Sequence, residues 1–222
     1  MTTLGLLGGT GDQGKGLAAR LAQAGYPCVI GSRDAGRAEQ AAAELDSGPR
    51  QITGAENAKV AAQAELLLVT VPYEALDATL APLAEALADK IIVSCVNPIS
   101  FDGDGPYWQR PEVGSAAQQC QLLLPESRVG AAFHTVSAKK LLDVETAMAG
   151  DVPVCADDDD VRAEVVALVD AIEGLRGIHA GALRLAFALE TFTTLLIAVN
   201  KHYGRSVGLG LVDLPERVVS SD

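Results

Sequence analysis

The chain has 222 residues, of which 49% are hydrophobic and 21% charged, so it is long enough to bury a full core. Its formal net charge of −12 repels nucleic-acid phosphates and anionic lipid, so we expect neither a nucleic-acid nor a membrane partner. Cys28, Cys95, Cys120 and Cys155 stand far apart, without the spacing of a zinc site. We therefore expect reduced thiols, no metal site and a cytoplasmic protein.

Short apolar runs alternate with helical patterns along the chain. Strands are predicted at Thr3–Gly8, Pro27–Gly31, Arg50–Thr53, Glu65–Val71, Lys90–Cys95, Arg128–Phe133, Val152–Cys155 and Leu175–His179. Helices are predicted at Lys15–Ala24, Ala35–Leu45, Asn57–Gln63, Tyr73–Leu87, Ser115–Leu124 and Asp158–Ile172. Strands such as LLLVTV are apolar without alternation, as in strands buried on both faces of a parallel sheet. The sequence therefore predicts an α/β, Rossmann-type fold with a doubly wound, mostly parallel sheet and a C-terminal helical segment.

The first strand leads directly into the glycine-rich stretch GGTGDQGKG, which opens the first helix. In this context Gly9 is expected to make the sharp turn, Gly11 to admit a pyrophosphate and Gly14 to let the helix pack closely. The pyrophosphate would rest on free N–H groups at the helix N-terminus. The stretch therefore predicts a dinucleotide site. A glycine-rich turn without a ligand is the alternative.

The second strand ends in GSRDAGR, which bears on the kind of nucleotide. An NAD site usually has Asp or Glu here, about 20 residues past the glycines. This chain has Ser32 and Arg33, with Arg37 one helical turn on. A hydroxyl and two guanidinium groups suit a 2′-phosphate, so we expect NADP rather than NAD. Asp34 is expected to interact with the dipole of its own helix.

Ligands of such sheets lie beyond the carboxyl ends of the strands. The segments there are TVPY after Val69, SCVNP after Val93 and FHTVS after Ala132. His134 is the candidate for chemistry, and a histidine that only shapes its loop is the alternative. The segment Asn97–Val113, rich in proline and glycine, is expected to be an active-site loop.

Two later segments have simple structural interpretations. The acidic run Asp157 to Asp160 stands between a strand and a helix, where capping is expected in place of a metal site. The apolar stretch from Ala182 to Tyr203 contains Arg184 and Glu190 and is expected to be a buried helix. Because it is apolar nearly all round, a second subunit is expected to cover part of it, as in a homodimer.

Several of these motifs occur together and in order. They are LLGGTGDQGKGLAARLA, VIGSRD, TVPYE, GSAAQ, FHT, DVPVCADDD and GLRGIHAG before the long apolar helix. Along nearly the whole chain they resemble the NADPH-dependent reductases of coenzyme F420, the F420H2:NADP oxidoreductases of archaea and actinobacteria. The resemblance implies a small-molecule reaction, a reversible hydride transfer between C4 of the nicotinamide and C5 of an 8-hydroxy-5-deazaflavin.

The resemblance also implies roles for single residues. Thr10, Ser32, Arg33 and Arg37 would hold the 2′-phosphate end of NADP, His134 would stand near the deazaflavin, and Thr191 and Thr193 match hydroxyl positions of the last helix. The candidate cofactor-binding residues are Gly9, Thr10, Gly11, Asp12, Gln13, Gly14, Ser32, Arg33, Arg37, Thr70, Val71, Pro72, Ser94, Val136, Thr191 and Thr193. Residues 1–181 would form the NADP-binding domain, and residues 182–222 would complete the deazaflavin site.

One departure leaves the second ligand open. Phe187 stands where the archaeal members have an arginine, and Arg184 is one turn away. For the acidic, polyglutamylated coenzyme, the candidate cations are Lys139, Lys140, Arg184 and Arg205. Two alternatives therefore stand beside the F420 reductase. One is an NADP-dependent reductase of a flavin or a small carbonyl or imine, and the other is a non-catalytic NADP(H)-binding module.

Overall fold

The computed structural model describes residues 2–45 and 52–214 of the chain. The strands are β1 (Leu4–Leu7), β2 (Cys28–Ser32), β3 (Ile52–Glu56), β4 (Leu66–Val69), β5 (Ile91–Ser94), β6 (Ile99–Asp102), β7 (Gly105–Trp108), β8 (Arg128–Ala131), β9 (Gly150–Ala156) and β10 (Leu175–His179). The helices are α1 (Asp12–Gln23), α2 (Ala35–Ala43), α3 (Asn57–Gln63), α4 (Leu76–Leu80), α5 (Ala116–Leu123), α6 (Ala138–Leu142), α7 (Asp159–Asp170) and α8 (Ala186–Tyr203). Of the predicted strand at Arg50–Thr53, the first two residues lie outside the described ranges.

The eight predicted strands form one sheet in the order β10-β9-β8-β5-β4-β1-β2-β3. The six strands from β3 to β8 are parallel, whereas β9 pairs antiparallel with β8 and β10 pairs parallel with β9. The order reverses between β1 and β4, the point where doubly wound sheets bind their ligands. The predicted Rossmann-type fold is confirmed.

Both faces of the sheet are buried. Leu6 packs in a core cluster with Ile30 and Leu68, and its neighbour Leu7 packs in a second cluster on the other face with Val69. Each fully buried side chain of this size stabilises the fold by about 1.5–3 kcal/mol. The unbroken apolar runs of the central strands follow from this two-sided burial, since both faces favour apolar side chains.

The predicted helix at Tyr73–Leu87 is helical but is not one regular α-helix. The segment forms a 3₁₀ turn at Tyr73–Ala75, the short helix α4, and further 3₁₀ turns at Ala81–Leu83 and Glu85–Leu87. Pro82 lies where α4 stops. Proline has no N–H and its ring clashes with the carbonyl four residues earlier, so a regular helix cannot pass this position.

The expected loop at Asn97–Val113 is also more regular than predicted. It contains the antiparallel hairpin of β6 and β7, in which Ile99 pairs with Trp108 and Asp102 with Gly105. Asp102 Oδ1 accepts hydrogen bonds from the N–H groups of Asp104 and Gly105, which fixes the turn. The hairpin packs on α8.

The long C-terminal helix is not buried as predicted. It is preceded by a 3₁₀ turn at Leu183–Leu185, and only Ala186, Glu190 and Leu196 among its 18 residues are buried. Phe187, Leu195 and Tyr203 are exposed. The stretch Leu183–Tyr203 is long and apolar enough to cross a membrane by length and composition alone. Within the described parts of the chain, most of this helix is uncovered.

The acidic run caps a helix, as predicted. Asp158 is the N-cap of α7 and accepts hydrogen bonds from the N–H groups of Asp160 and Val161. Asp157 accepts one from the N–H of Leu183, and Asp159 forms an ion pair with Arg162. These carboxylates therefore stabilise the start of α7 and the approach to α8.

Candidate active site

A cleft of about 720 Å³ opens at the carboxyl ends of β1, β2, β4 and β5. Ten of the predicted cofactor-binding residues line it: Thr10, Gly11, Asp12, Gln13, Ser32, Arg33, Arg37, Thr70, Val71 and Pro72. Seven residues outside the predicted cofactor-binding set also line it: Gly8, Asp34, Asn57, Ala75, Thr79, Cys95 and Asn97. Most of these seven follow the carboxyl end of a strand, which is the signal that could have found them.

The glycines of the first turn differ in what they allow. The backbone turns over Gly8 to Thr10, so Gly9 lies in the turn as predicted, while the positive φ of +69° is at Gly8. Gly9 is also required by packing, since a Cβ there would stand 2.8 Å from Leu6 Cβ. Gly14 packs closely, as predicted, because its Cβ would lie 2.4 Å from Gly9 Cα. Gly11 is the open position, where a Cβ would meet no heavy atom within 4 Å.

The N-terminus of α1 is shaped to receive an anion. Gly11 is the N-cap residue, and no side chain caps the helix. The N–H groups of the first turn are therefore available, at the positive end of the helix dipole, to an acceptor in the cleft. A pyrophosphate fits this position, since Gly11 leaves room for it where a Cβ would intrude.

The end of β2 supplies the positive charge of the cleft. Arg33 and Arg37 are exposed on the cleft wall, and neither forms an ion pair with any other described residue. Asp34 forms no ion pair with them; it is the N-cap of α2 and accepts a hydrogen bond from the N–H of Arg37 at 2.9 Å. The Ser32 hydroxyl accepts one from the N–H of Asp34 at 3.2 Å. The set fits a phosphate group beside the ribose.

Asn57 and Thr70 fix the cleft walls. Asn57 Oδ1 accepts a hydrogen bond from the N–H of Gly8 at 3.2 Å, which joins the start of α3 to the glycine turn. The Thr70 hydroxyl donates to the carbonyl of Leu7 at 3.2 Å. Cys95 is buried at the cleft floor, and burial raises the pKa of its thiol well above the ordinary value. The thiol is therefore uncharged at neutral pH.

His134 does not line this cleft but lies behind it. The side chain is 3% exposed, and neither ring nitrogen has a hydrogen-bond partner among the described residues. Burial lowers the pKa of the imidazole to about 3, so the ring is neutral at pH 7. The backbone before it is strained, since Phe133 has φ +66°. A neutral imidazole can accept at one nitrogen and donate at the other, but only the charged imidazolium gives up a proton readily near pH 7.

The backbone of the His134 loop joins the cleft to the C-terminal helix. Asn97 Nδ2, in the cleft, donates to the carbonyl of His134 at 3.1 Å. Thr193 Oγ1 on α8 lies 2.9 Å from the same oxygen and 3.1 Å from the carbonyl of Leu189, so its one proton is shared between the two. Gln13 Nε2, also in the cleft, donates to the carbonyl of Phe133 at 3.1 Å. Three hydrogen bonds therefore hold this loop between the dinucleotide cleft and α8.

The remaining predicted residues lie away from the cleft. Ser94 is fully buried, and Val136 packs against the core beside a separate small cavity. Thr191 is exposed on α8, and its hydroxyl donates to the carbonyl of Phe187 at 2.6 Å. This bond to its own helix uses the hydroxyl proton, as threonines in helices commonly do.

Glu190 has a structural role that its position in the sequence did not reveal. Its carboxylate is fully buried and accepts hydrogen bonds from the N–H groups of Ala116 at 3.1 Å and Ala117 at 3.2 Å. It therefore caps α5 from another helix and ties α8 to the body of the protein. Burial raises the pKa of this carboxyl to about 7. The sequence signal for this role was a single acidic residue within an otherwise apolar stretch of helix.

Comparison with known proteins gives consistent matches. Residues 3–98 match the family model described as NADP oxidoreductase coenzyme F420-dependent. The sequence is 37% identical over 222 residues to the F420-dependent NADP reductase of Methanothermobacter marburgensis, which covers 96% of this chain and 99% of that protein.

Solved structures show the same architecture. A crystal structure from Arthrobacter sp. FB24, assigned as an F420-dependent NADP reductase, is 27% identical with a TM-score of 0.81, covering 96% of this chain and 100% of that one. An imine reductase from Streptomyces aurantiacus superposes with a TM-score of 0.63 at 18% identity, over 90% of this chain and 63% of that one. The second likeness concerns the fold alone.

Proposed function

Because the chain belongs to the family of coenzyme F420-dependent NADP oxidoreductases, we propose that it transfers a hydride reversibly between NADP(H) and coenzyme F420. In the reducing direction the hydride leaves C4 of the nicotinamide and reaches C5 of the deazaflavin. One proton from solvent completes the balance, so NADPH, F420 and a proton give NADP⁺ and reduced F420. The observation that carries the proposal is the open glycine cleft with two unpaired arginines, in a chain 37% identical to such a reductase.

The cleft is our proposed NADP site. The pyrophosphate would lie over Gly11 at the N-terminus of α1, and the 2′-phosphate would bind Ser32, Arg33 and Arg37. The nicotinamide would then extend toward Pro72 and Asn97 at the far end of the cleft. NADP is supported over NAD because the end of β2 presents the Ser32 hydroxyl and two unpaired guanidinium groups, of Arg33 and Arg37, to the cleft.

The deazaflavin is proposed to bind beside the His134 loop, with α8 and the rest of residues 182–222 completing its site. A hydride transfer between two bound rings needs proximity and orientation more than an acid. Burial lowers the pKa of His134, and a neutral ring suits this role. We assign His134, Val136, Thr191 and Thr193 to this half of the site, with the bond from Thr193 to the His134 carbonyl holding the two elements together.

We also propose that the protein is a cytoplasmic homodimer. The apolar residues on the outer surface of α8, among them Phe187 and Leu195, are uncovered in the chain alone. A second copy of the chain packed on α8 would bury them. All four cysteines are free thiols, which agrees with a reducing compartment.

The direct test adds NADPH to the purified protein with oxidised F420. We expect the deazaflavin absorbance to bleach in proportion to NADPH oxidised, and to return when NADP⁺ is added in excess to the reduced coenzyme. Reduction of FMN, FAD or a cyclic imine without reduction of F420 would show a different reductase on the same fold. Tight NADPH binding with no acceptor reduced would show a binding module instead.

A further inference from the structure

A second positively charged pocket lies at the far end of α8. It has a volume of about 360 Å³ and is lined by Lys139, Lys140, Asp143, Asn200, Gly204, Arg205 and Ser206. Three cations thus converge on one depression in a protein whose net charge is −12. Such a concentration of positive charge against the overall charge of the molecule indicates a local anion site.

None of these three cations is engaged elsewhere. Within residues 2–45 and 52–214, the ion pairs use Lys15, Arg128, Arg162 and Arg176. The side chains of Lys139, Lys140 and Arg205 form neither an ion pair nor a hydrogen bond with any described residue. Arg33 and Arg37 in the proposed NADP cleft are likewise without an ion pair among the described residues. In both pockets the positive charge is left available for a ligand.

The polar groups around the cations favour an anion as well. Asn200 Oδ1 accepts a hydrogen bond from the N–H of Val207 at 2.7 Å, so its amide NH₂ remains as a donor. Asp143 is the one carboxylate among the described residues that line the pocket, and its charge interacts with Arg20. The pocket therefore presents more donors than acceptors.

The wall formed by α6 is held rigidly. Arg20 of α1 is buried and donates hydrogen bonds to the carbonyls of Lys140 at 2.9 Å, Leu141 at 3.0 Å and Thr146 at 2.8 Å, and also to that of Asp143. These bonds fix the backbone that carries Lys139 and Lys140. A ligand held there would not have to order the segment, which favours binding.

The pocket and the proposed deazaflavin site lie along one face of α8. Thr193, whose hydroxyl bonds the His134 carbonyl, and Asn200, which lines the pocket, are seven residues apart and so lie on the same face. At the α-helical rise they are separated by about 10 Å along the axis. The His134 loop also leads directly into α6, which begins after its N-cap Ser137.

From these observations we infer that the pocket between α6 and the end of α8 binds the anionic tail of the deazaflavin coenzyme, through its phosphate and carboxylate groups. This inference rests on the proposed function, because it assumes that the ring lies beside His134. Lys139, Lys140 and Arg205 would pair with the tail anions, while Asn200 and Ser206 would donate hydrogen bonds. The pocket would thus confer selectivity for the tailed coenzyme without contacting the reacting atoms.

The alternative is that these cations only stabilise the structure, and a control variant separates that role from anion binding. Lys139 and Lys140 lie in the last turn of α6, where cations favour the negative end of the helix dipole. Lys201 is placed in the same way in the last turn of α8 but does not line the pocket. Lys201→Ala is therefore the matched control, since it removes a dipole-facing cation while leaving the pocket intact.

The test measures equilibrium binding of two ligands by their deazaflavin fluorescence. One is F420 with its phosphate and glutamates, and the other is the same deazaflavin with only its ribityl chain. For the triple variant Lys139→Ala, Lys140→Ala and Arg205→Ala, we expect the Kd of the tailed form to rise about 10-fold or more. The Kd of the tail-free form and the Kd of NADPH should change by less than about 2-fold. Lys201→Ala should leave all three unchanged, and unchanged circular dichroism would establish folding.

The outcomes separate the two proposals. If wild-type protein binds F420 and reduces it, but the triple variant binds the tailed form equally well, the tail pocket is wrong and the proposed function stands. If Arg184→Ala, at the opposite end of α8, weakens the tailed form while the triple variant does not, the tail lies in the other direction and the inference is overturned. If wild-type protein binds neither form, the proposed function fails and the tail pocket fails with it.

Discussion

Arg33 is the residue on which nucleotide selectivity is expected to depend. It is exposed on the cleft wall without an ion pair, and the neighbouring Asp34 is occupied as a helix cap. For Arg33→Asp we expect the KM for NADPH to rise about 100-fold, because a charge-assisted hydrogen bond is lost and a like charge faces the 2′-phosphate. The KM for NADH should change by less than about 3-fold.

Steady-state kinetics with both nucleotides checks this prediction. Lys59→Asp makes the same change of charge on α3, outside the residues that line the cleft, and should leave both constants close to those of the wild type. An equal rise in KM for NADPH and NADH after Arg33→Asp would show that this arginine does not recognise the 2′-phosphate.

Glu190 is expected to make stability depend on pH. Burial raises the pKa of its carboxyl to about 7, from the ordinary value of 4.5. The neutral form is therefore favoured in the folded protein, and this contribution is fully present below pH 4.5 and lost as the pH rises through 7. Relative to Glu190→Gln, the wild-type free energy of unfolding should fall by about 2–3 kcal/mol between pH 5 and pH 8.

Urea unfolding of both proteins at the two pH values measures this difference. Glu164→Gln removes an exposed carboxylate of α7 and serves as the control, for which we expect no comparable trend. A constant difference between wild type and Glu190→Gln across this range would mean that the capping bonds to Ala116 and Ala117 keep the carboxyl ionised throughout.

Among the described elements, α8 leaves an apolar surface uncovered, although its other side packs on α5 and β7. We propose that a second subunit covers this surface of α8. Leu195, which is 54% exposed, lies on it. We expect wild-type protein to sediment as a dimer and Leu195→Lys to sediment as a monomer, because a buried lysine without a counter-charge destabilises an interface.

Analytical ultracentrifugation over a range of concentrations distinguishes these states. Leu122→Lys, on the exposed side of α5, introduces the same residue at an equally exposed position and should leave the sedimentation unchanged. A wild-type protein that remains monomeric at all concentrations would contradict the dimer and would leave the apolar surface of α8 to another partner.

The elements that sequence patterns missed are short and depend on local chemistry. The β6 and β7 hairpin contains no apolar run, because polar residues, glycine and proline interrupt the segments ISFD and GPYW. It therefore has no strand signal of its own. Helix α6 has only five residues, too few for a helical period to show. By contrast α3 and β10 have the predicted bounds, because each is a periodic or apolar run between clear boundaries.

At the scale of the molecule, the order of strands and helices could be predicted but the direction of β9 could not. Residue patterns record which faces are buried, and burial is the same whether a strand runs parallel or antiparallel to β8. Ten cleft residues were predictable because they lie in the glycine turn or just beyond the carboxyl end of a strand, and because arginine suits a phosphate. The bond from Asn97 to the His134 carbonyl and the burial of His134 were not, since both depend on how loops from distant strands meet.

The shared carbonyl of His134 has a consequence for the order in which ligands bind. This one oxygen accepts from Asn97 in the NADP cleft and from Thr193 on α8. We expect a nucleotide that draws the Asn97 amide away from this oxygen to alter the bond that remains to Thr193, and with it the other half of the site. Thermodynamic linkage would make the effect reciprocal, so each substrate would change the affinity of the other by the same factor. The order in which the two ligands are added would then leave the final affinity of the ternary complex unchanged while changing the affinity of each separate step.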